Sequence, residues 1–229
     1  MKGHQMQHLL SLTAMTIVCS AAIINPLVAA TITATVTVNG TDMPWNWVNG
    51  GLNTNDQFGV NNGAGPVLIS AANGFGFNAN DILTVTYLSG LVSVGSSFPN
   101  TDAKGDTAFP VDNGTGSSGK VFPSFYMNHA TYPINLGELV GTFADSAGDI
   151  VGTPFVLGDG PTTLTIPTGA SRLQLGVNDD LFSDNTGSWS IQVSGTGPAG
   201  VPEPDAAALC GSGLVALGLL VALRTTKRC

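Results

Sequence analysis

The densest run of oxygen donors in this 229-residue chain is Asn178-Asp179-Asp180-Leu181-Phe182-Ser183-Asp184-Asn185-Thr186-Gly187-Ser188-Trp189. Three carboxylates and two carboxamides fall within its first eight residues. Calcium takes six to eight oxygens at about 2.3–2.6 Å, drawn from carboxylates, amide carbonyls and backbone. A tight loop can aim Asp179, Asp184 and Asn185 at one point, and Gly187 lets the chain turn into the next strand. Asp and Asn are equally the ordinary residues of turns. On spacing alone, a calcium loop and a plain turn both remain open.

Such a loop needs strands to hold it. Apolar runs flank the cluster, Arg172 to Val177 before it and Ser188 to Val193 after it, so it reads as the loop of a β-hairpin. Thr31 to Val38 alternates strictly, as a half-buried strand should, and Asp81 to Leu88 does the same. Leu136 to Ala144, Thr153 to Leu157 and Thr163 to Ile166 are further strands bounded by Gly, Pro, Asn or Asp. Between the two ends of the chain there is no amphipathic helix of ten or more residues. Val48 to Gly65 and Ser96 to Lys120 read as loops. The expected fold class is all-β, a two-sheet sandwich over residues 31–195, followed by a Gly/Pro linker at 196–200.

Composition narrows the function. Between residues 31 and 200 there are thirteen acidic residues and three basic ones, Lys104, Lys120 and Arg172. A polyanion is repelled by that balance, so no nucleic acid is expected as a partner. All three cysteines, Cys19, Cys210 and Cys229, lie in the terminal segments. The intervening domain therefore has no disulfide, thiolate metal site or catalytic cysteine. His129 is its sole histidine and Glu138 its sole glutamate. Neither sits in a catalytic motif, and the expectation is a protein that is not an enzyme. Trp45 and Trp47 flank a Gly-rich stretch and suit either a sugar platform or core packing, while Trp189 suits the core.

The two ends look like addresses. Lys2, the mostly apolar stretch Leu9 to Ile24 and the small residues Val28-Ala29-Ala30 make residues 1–30 a signal peptide, cut by signal peptidase after Ala30. An uncleaved anchor is the other reading. At the far end, Val201-Pro202-Glu203-Pro204 is followed by an apolar run of 18 residues, Ala206 to Leu223, and by Arg224, Lys227 and Arg228. At about 1.5 Å per residue that run just crosses a hydrocarbon core of roughly 30 Å, with the basic end cytoplasmic. Residues 201–229 resemble a PEP-CTERM sorting signal of Gram-negative bacteria that make exopolysaccharide. The resemblance implies exosortase as a partner, recognising Pro202-Glu203-Pro204 and removing the tail. It also implies an inner-membrane intermediate and then release to the cell surface or extracellular matrix. An ordinary C-terminal anchor is the alternative.

A second resemblance covers Trp45 to Val193. Asn80-Asp81 with LTVTYLSG, Gly105-Asp106, LGELVG at 136–141 and LQLGVNDDLFSDNTGSWSIQV at 173–193 resemble the galactose-binding-like jelly roll of the PA-I type of galactophilic bacterial lectin. The resemblance implies one calcium held by Asp179, Asp184 and Asn185, with backbone carbonyls near Ser183 and Val94 and two sugar hydroxyls completing its shell. Phe109 falls where that type has a sugar-contacting histidine, so ring stacking would replace a hydrogen bond. Asp106, in the same loop, is assigned with it to the carbohydrate side. Asp184 stands in place of a carboxamide, and the segment Val111 to Pro133 is longer than in the small lectins. The expected function is calcium-assisted binding of a galactoside or exopolysaccharide. The alternative is a structural matrix protein with a stabilising calcium and no free sugar.

Overall fold

A computed structural model describes residues 30–45, 63–111, 115–128, 130 and 132–197. Residues 1–29 of the expected signal peptide, Trp47, Asp112, His129, the end of the expected linker and the whole expected sorting tail lie outside these residues. Among the described residues no helix is long and apolar enough to cross a membrane.

The fold is all-β. Among the described residues ten strands run in chain order as β1 (Thr31–Asn39), β2 (Val67–Ser70), β3 (Ile82–Ser93), β4 (Asp106–Val111), β5 (Ile134–Leu136), β6 (Leu139–Ala144), β7 (Ile150–Val156), β8 (Thr162–Thr165), β9 (Arg172–Val177) and β10 (Thr186–Thr196). Helical structure among the described residues is confined to short 3-10 turns, such as Pro123–Tyr126 and Phe182–Asp184. Two four-stranded sheets have the orders β1-β10-β3-β8 and β2-β9-β6-β7, and β4 pairs with β5 alone. The strand pairs are antiparallel throughout.

Period-two alternation drives this arrangement. Trp189, Ile191 and Val193 of β10 are fully buried, as are Leu173, Leu175 and Val177 of β9. They share one apolar cluster with Leu83 and Val85 of β3 and Leu139 and Val140 of β6. The sheet of β1, β10, β3 and β8 thus turns one face inward, whereas β6 is buried at every residue and β9 at all but Arg172, so the centre of the other sheet is covered on both faces. The Trp189 indole also donates to the Thr101 carbonyl at 3.1 Å, so its one polar atom is satisfied inside the core. Trp45 is fully buried and meets Tyr126 edge-on, which is the packing role rather than a platform.

Three sequence expectations are corrected. β9 and β10 are not a hairpin: β9 bonds to β2 and β6, β10 bonds to β1 and β3, and Asn178 to Asn185 crosses from one sheet to the other. Both flanking apolar runs are strands as expected, and an apolar run says nothing about which sheet a strand joins. Leu136 to Ala144 is two strands, because Gly137 turns the chain at φ 72°. The stretch Ser96 to Lys120 is not all loop, since it contains β4, whose Ala-Phe-Pro core shows no buried alternation.

Candidate functional site

The crossing segment begins with a clamp. Asn178 is fully buried. Its Oδ1 accepts from Ser124 N at 2.9 Å and its Nδ2 donates to the Asn135 carbonyl at 3.1 Å. Its backbone closes a further pair, with Gly137 N donating to Asn178 O and Asn178 N to Glu138 O. At the other end, Phe182 and Trp189 are buried without residual exposure and fix where the chain re-enters the core. Gly187 sits at φ 80°, and a Cβ there would lie 2.2 Å from the Leu91 carbonyl. Positive φ and a close backbone approach both demand glycine. Gly187→Ala should therefore cost about 2 kcal/mol, roughly 4–8 °C in melting temperature, measured by thermal denaturation.

Between these anchors stand the predicted ligands. Asp179 is 3% exposed and Asn185 5%. Asp179 Oδ1 accepts from the backbone N–H of Asp180 at 2.8 Å. Asn185 Nδ2 donates to the Gly40 carbonyl at 2.8 Å, which fixes the amide's orientation. That leaves Asp179 Oδ2 and Asn185 Oδ1 buried, with no hydrogen-bond partner among the described residues. Burial pushes the Asp179 carboxyl up to about 7. The Asn185 side chain and the N–H groups of Asp180 and Leu181 pull the other way, and the Asp180 charge adds to the rise. One N–H of the Asn185 amide goes to Gly40 and the other remains near the Asp179 charge, yet no donor reaches Oδ2 with hydrogen-bond geometry. Two adjacent acceptors stranded in a dry place are expensive unless something positive meets them.

Asp179 opens onto a cleft of about 280 Å³. Asp179, Asp180 and Asp184 line it together with Val94 and Leu136, and Phe98, Phe109 and Phe122 supply aromatic surface. Asp184 is exposed, and its Oδ2 would lie 3.0 Å from a Cβ on Gly95, so its carboxylate rests on the turn that ends β3. Phe109 is 46% exposed and meets Phe98 edge-on, with centroids 5.5 Å apart. Among the described residues, no basic side chain lines the cleft. Its field favours a cation, and the exposed Phe109 ring favours a ligand with an apolar face.

Of the residues singled out from sequence, Val94, Phe109, Asp179 and Asp184 line this one cleft, whereas Asn185 is buried and is not a lining residue. Asp106 does not line it: it starts β4 and its Oδ1 accepts from Ala108 N at 3.0 Å, a local turn contact. Ser183 is exposed in the 3-10 turn and is likewise not a lining residue. Phe98 and Asp180 were missed. Phe98 lay in a stretch read as loop, and Asp180 lacked any partner visible in sequence, its contacts being 62 residues away.

No family model and no curated protein matches the chain. Among solved structures, AJLec from the sea anemone Anthopleura japonica aligns at 18% identity, over 59% of this chain and 94% of that one, with a TM-score of 0.27. An overlay that loose carries no argument about function.

Proposed function

We propose that the chain is an exported carbohydrate-binding module of the galactose-binding-like jelly-roll type. In it, calcium is held by Asp179, Asp184 and Asn185 at the floor of the cleft. The observation that carries this reading is the pair of orphaned buried oxygens, Asp179 Oδ2 and Asn185 Oδ1, with Asp179 lining the same cleft as the exposed Asp184 carboxylate. Calcium is a hard cation that takes oxygen alone, and this donor set is oxygen alone. Among the described residues no three Asp, Glu, His or Cys side chains are gathered as a metal cluster. The remaining positions therefore fall to backbone carbonyls, with Val94 and Ser183 as candidates, and to ligand hydroxyls. Bound calcium would orient vicinal hydroxyls, and Phe109 would offer its ring to the apolar face of a pyranose. We assign no catalytic residue. Export through signal peptidase and removal of residues 201–229 by exosortase complete the proposal, with a galactoside or the cell's own exopolysaccharide as ligand.

The test is calorimetry on the full-length chain with calcium and then with methyl galactoside. Calcium heat followed by calcium-dependent sugar heat supports the reading. No calcium heat would sink it. The depth of Asp179 and Asn185, in the segment joining the two sheets, favours a second reading: a calcium that only staples the sheets in a matrix protein. Calcium heat with a blank glycan array would select that one.

A further inference from the structure

Asp180 sits between the proposed ligands yet points elsewhere. It is 6% exposed, and its Oδ2 accepts from the backbone N–H of Ser118 at 2.8 Å. Its carbonyl accepts from the Ser118 hydroxyl at 3.0 Å. The loop that carries Ser118 is a compact unit. Thr115 bridges Val121, Gly116 N donates to Lys120 O at 2.8 Å, and Gly119 N donates to Gly116 O at 3.1 Å. Gly116 lies flat on the Asp180 carboxylate: a Cβ there would fall 2.1 Å from Asp180 Cγ. Thr115, Gly116 and Ser117 of this loop form a wall of the cleft.

From this geometry we infer that Asp180 is a positioning residue that latches loop 115–121 over the cleft and so restricts it to a single chain-terminal sugar. The inference rests on the proposed sugar site. A charge-assisted bond to a backbone N–H and a second bond from the same residue hold one point of the loop from two directions. A glycine is required at the contact because any side chain would push the loop off the carboxylate. With the loop seated, the cleft of about 280 Å³ is at or below the small end of ligand pockets, which run from roughly 300 Å³ upward. One pyranose fits such a space, and a chain continuing in both directions meets the wall of Thr115 to Ser117. Direct contact with the metal is not part of Asp180's role.

Three variants of the full-length chain test this: Asp180→Ala removes the acceptor, Gly116→Ala wedges the loop away with Asp180 intact, and Asp180→Asn keeps an acceptor oxygen. Two quantities are read: hydrogen exchange of the amides of 115–121, and affinity for methyl galactoside against linear galactan, whose residues are almost all internal. Asp180→Ala and Gly116→Ala should each speed exchange of the loop about ten-fold or more. They should also narrow the preference for the monosaccharide about ten-fold, and in Gly116→Ala, which keeps every carboxylate of the cleft, calcium affinity should move less than about three-fold. Asp180→Asn should stay near the unmodified chain in both readouts. Unchanged exchange in both disruptive variants overturns the latch. A freed loop with an unchanged preference overturns the selectivity. If the unmodified chain binds neither glycan, the sugar reading falls and takes the selectivity with it, while exchange still decides the latch.

Discussion

Asp179→Ala is expected to weaken calcium binding by more than about 100-fold, with the fold retained. The carboxylate is the deepest of the proposed ligands, and its Oδ2 makes no other contact that its removal would break. A charge-bearing ligand in a partly dry site contributes several kcal/mol to holding a divalent cation, and roughly 2.7 kcal/mol already corresponds to 100-fold. In the metal-free protein the same change relieves a buried charge and loses the bond from Asp180 N–H to Oδ1, two opposed effects, so the melting temperature without calcium should move little. With calcium at about 100 times its dissociation constant, the unmodified chain gains about 2.7 kcal/mol and the variant gains almost nothing. The two proteins therefore melt close together with chelator and apart with calcium. A calcium response in Asp179→Ala equal to that of the unmodified chain would remove Asp179 from the site. Asp184→Ala should have the smaller effect, since its carboxylate is exposed to solvent that screens it.

The legibility of each element in the sequence depends on what its signal encodes. Alternation in β1 and β3, and apolar runs bounded by turn residues at β9 and β10, located strands, because both signals are local properties. The partner of each strand is not local. Asn178 shows the consequence: its carboxamide joins Ser124 and Asn135, residues 54 and 43 positions away, and no spacing rule connects them. The oxygen cluster was visible as composition, and its position between two strands was visible with it. What was not visible is the division of labour within it. Asp179 and Asp180 are neighbours in an Asp-Asp pair, yet one carries an orphaned oxygen and the other is spent on Ser118. Only the direction of the chain as it leaves β9 for the opposite sheet separates them. The aromatic side of the cleft was half legible: Phe109 came from resemblance, whereas Phe98 is defined only by the ring it meets.

The metal-free protein should be more stable at pH 5 than at pH 8, by roughly 2–3 kcal/mol from Glu138 alone. Glu138 is 8% exposed at the turn between β5 and β6. Burial drives its carboxyl up to about 7, Asn135 N–H opposes this by donating to Oε2 at 2.9 Å, and the Asp159 charge adds to the rise. A carboxyl whose pKa is higher in the folded chain than in the unfolded one holds its proton more tightly when folded. Its contribution is therefore fully present below the unfolded value near 4.5 and is lost as pH rises through about 7. Asp179, raised from 3.8 to about 7 by burial, acts in the same direction and window when no cation is bound. General repulsion in an acidic chain also grows with pH, so the slope alone does not identify Glu138. Glu138→Gln separates the two: its amide oxygen still accepts from Asn135 and it carries no charge at any pH. The variant should melt higher than the unmodified chain at pH 8, match it more closely near pH 4.5, and lose part of the slope between. Equal melting of the two proteins at pH 8 would show that Glu138 ionises without cost and that its burial is relieved by solvent. Calcium reverses the sign at the other carboxylate, because the ion binds Asp179 only after its proton leaves. Stabilisation by calcium should accordingly grow from pH 5 to pH 8 while the metal-free protein weakens, and Glu138→Gln should leave that calcium increment unaltered.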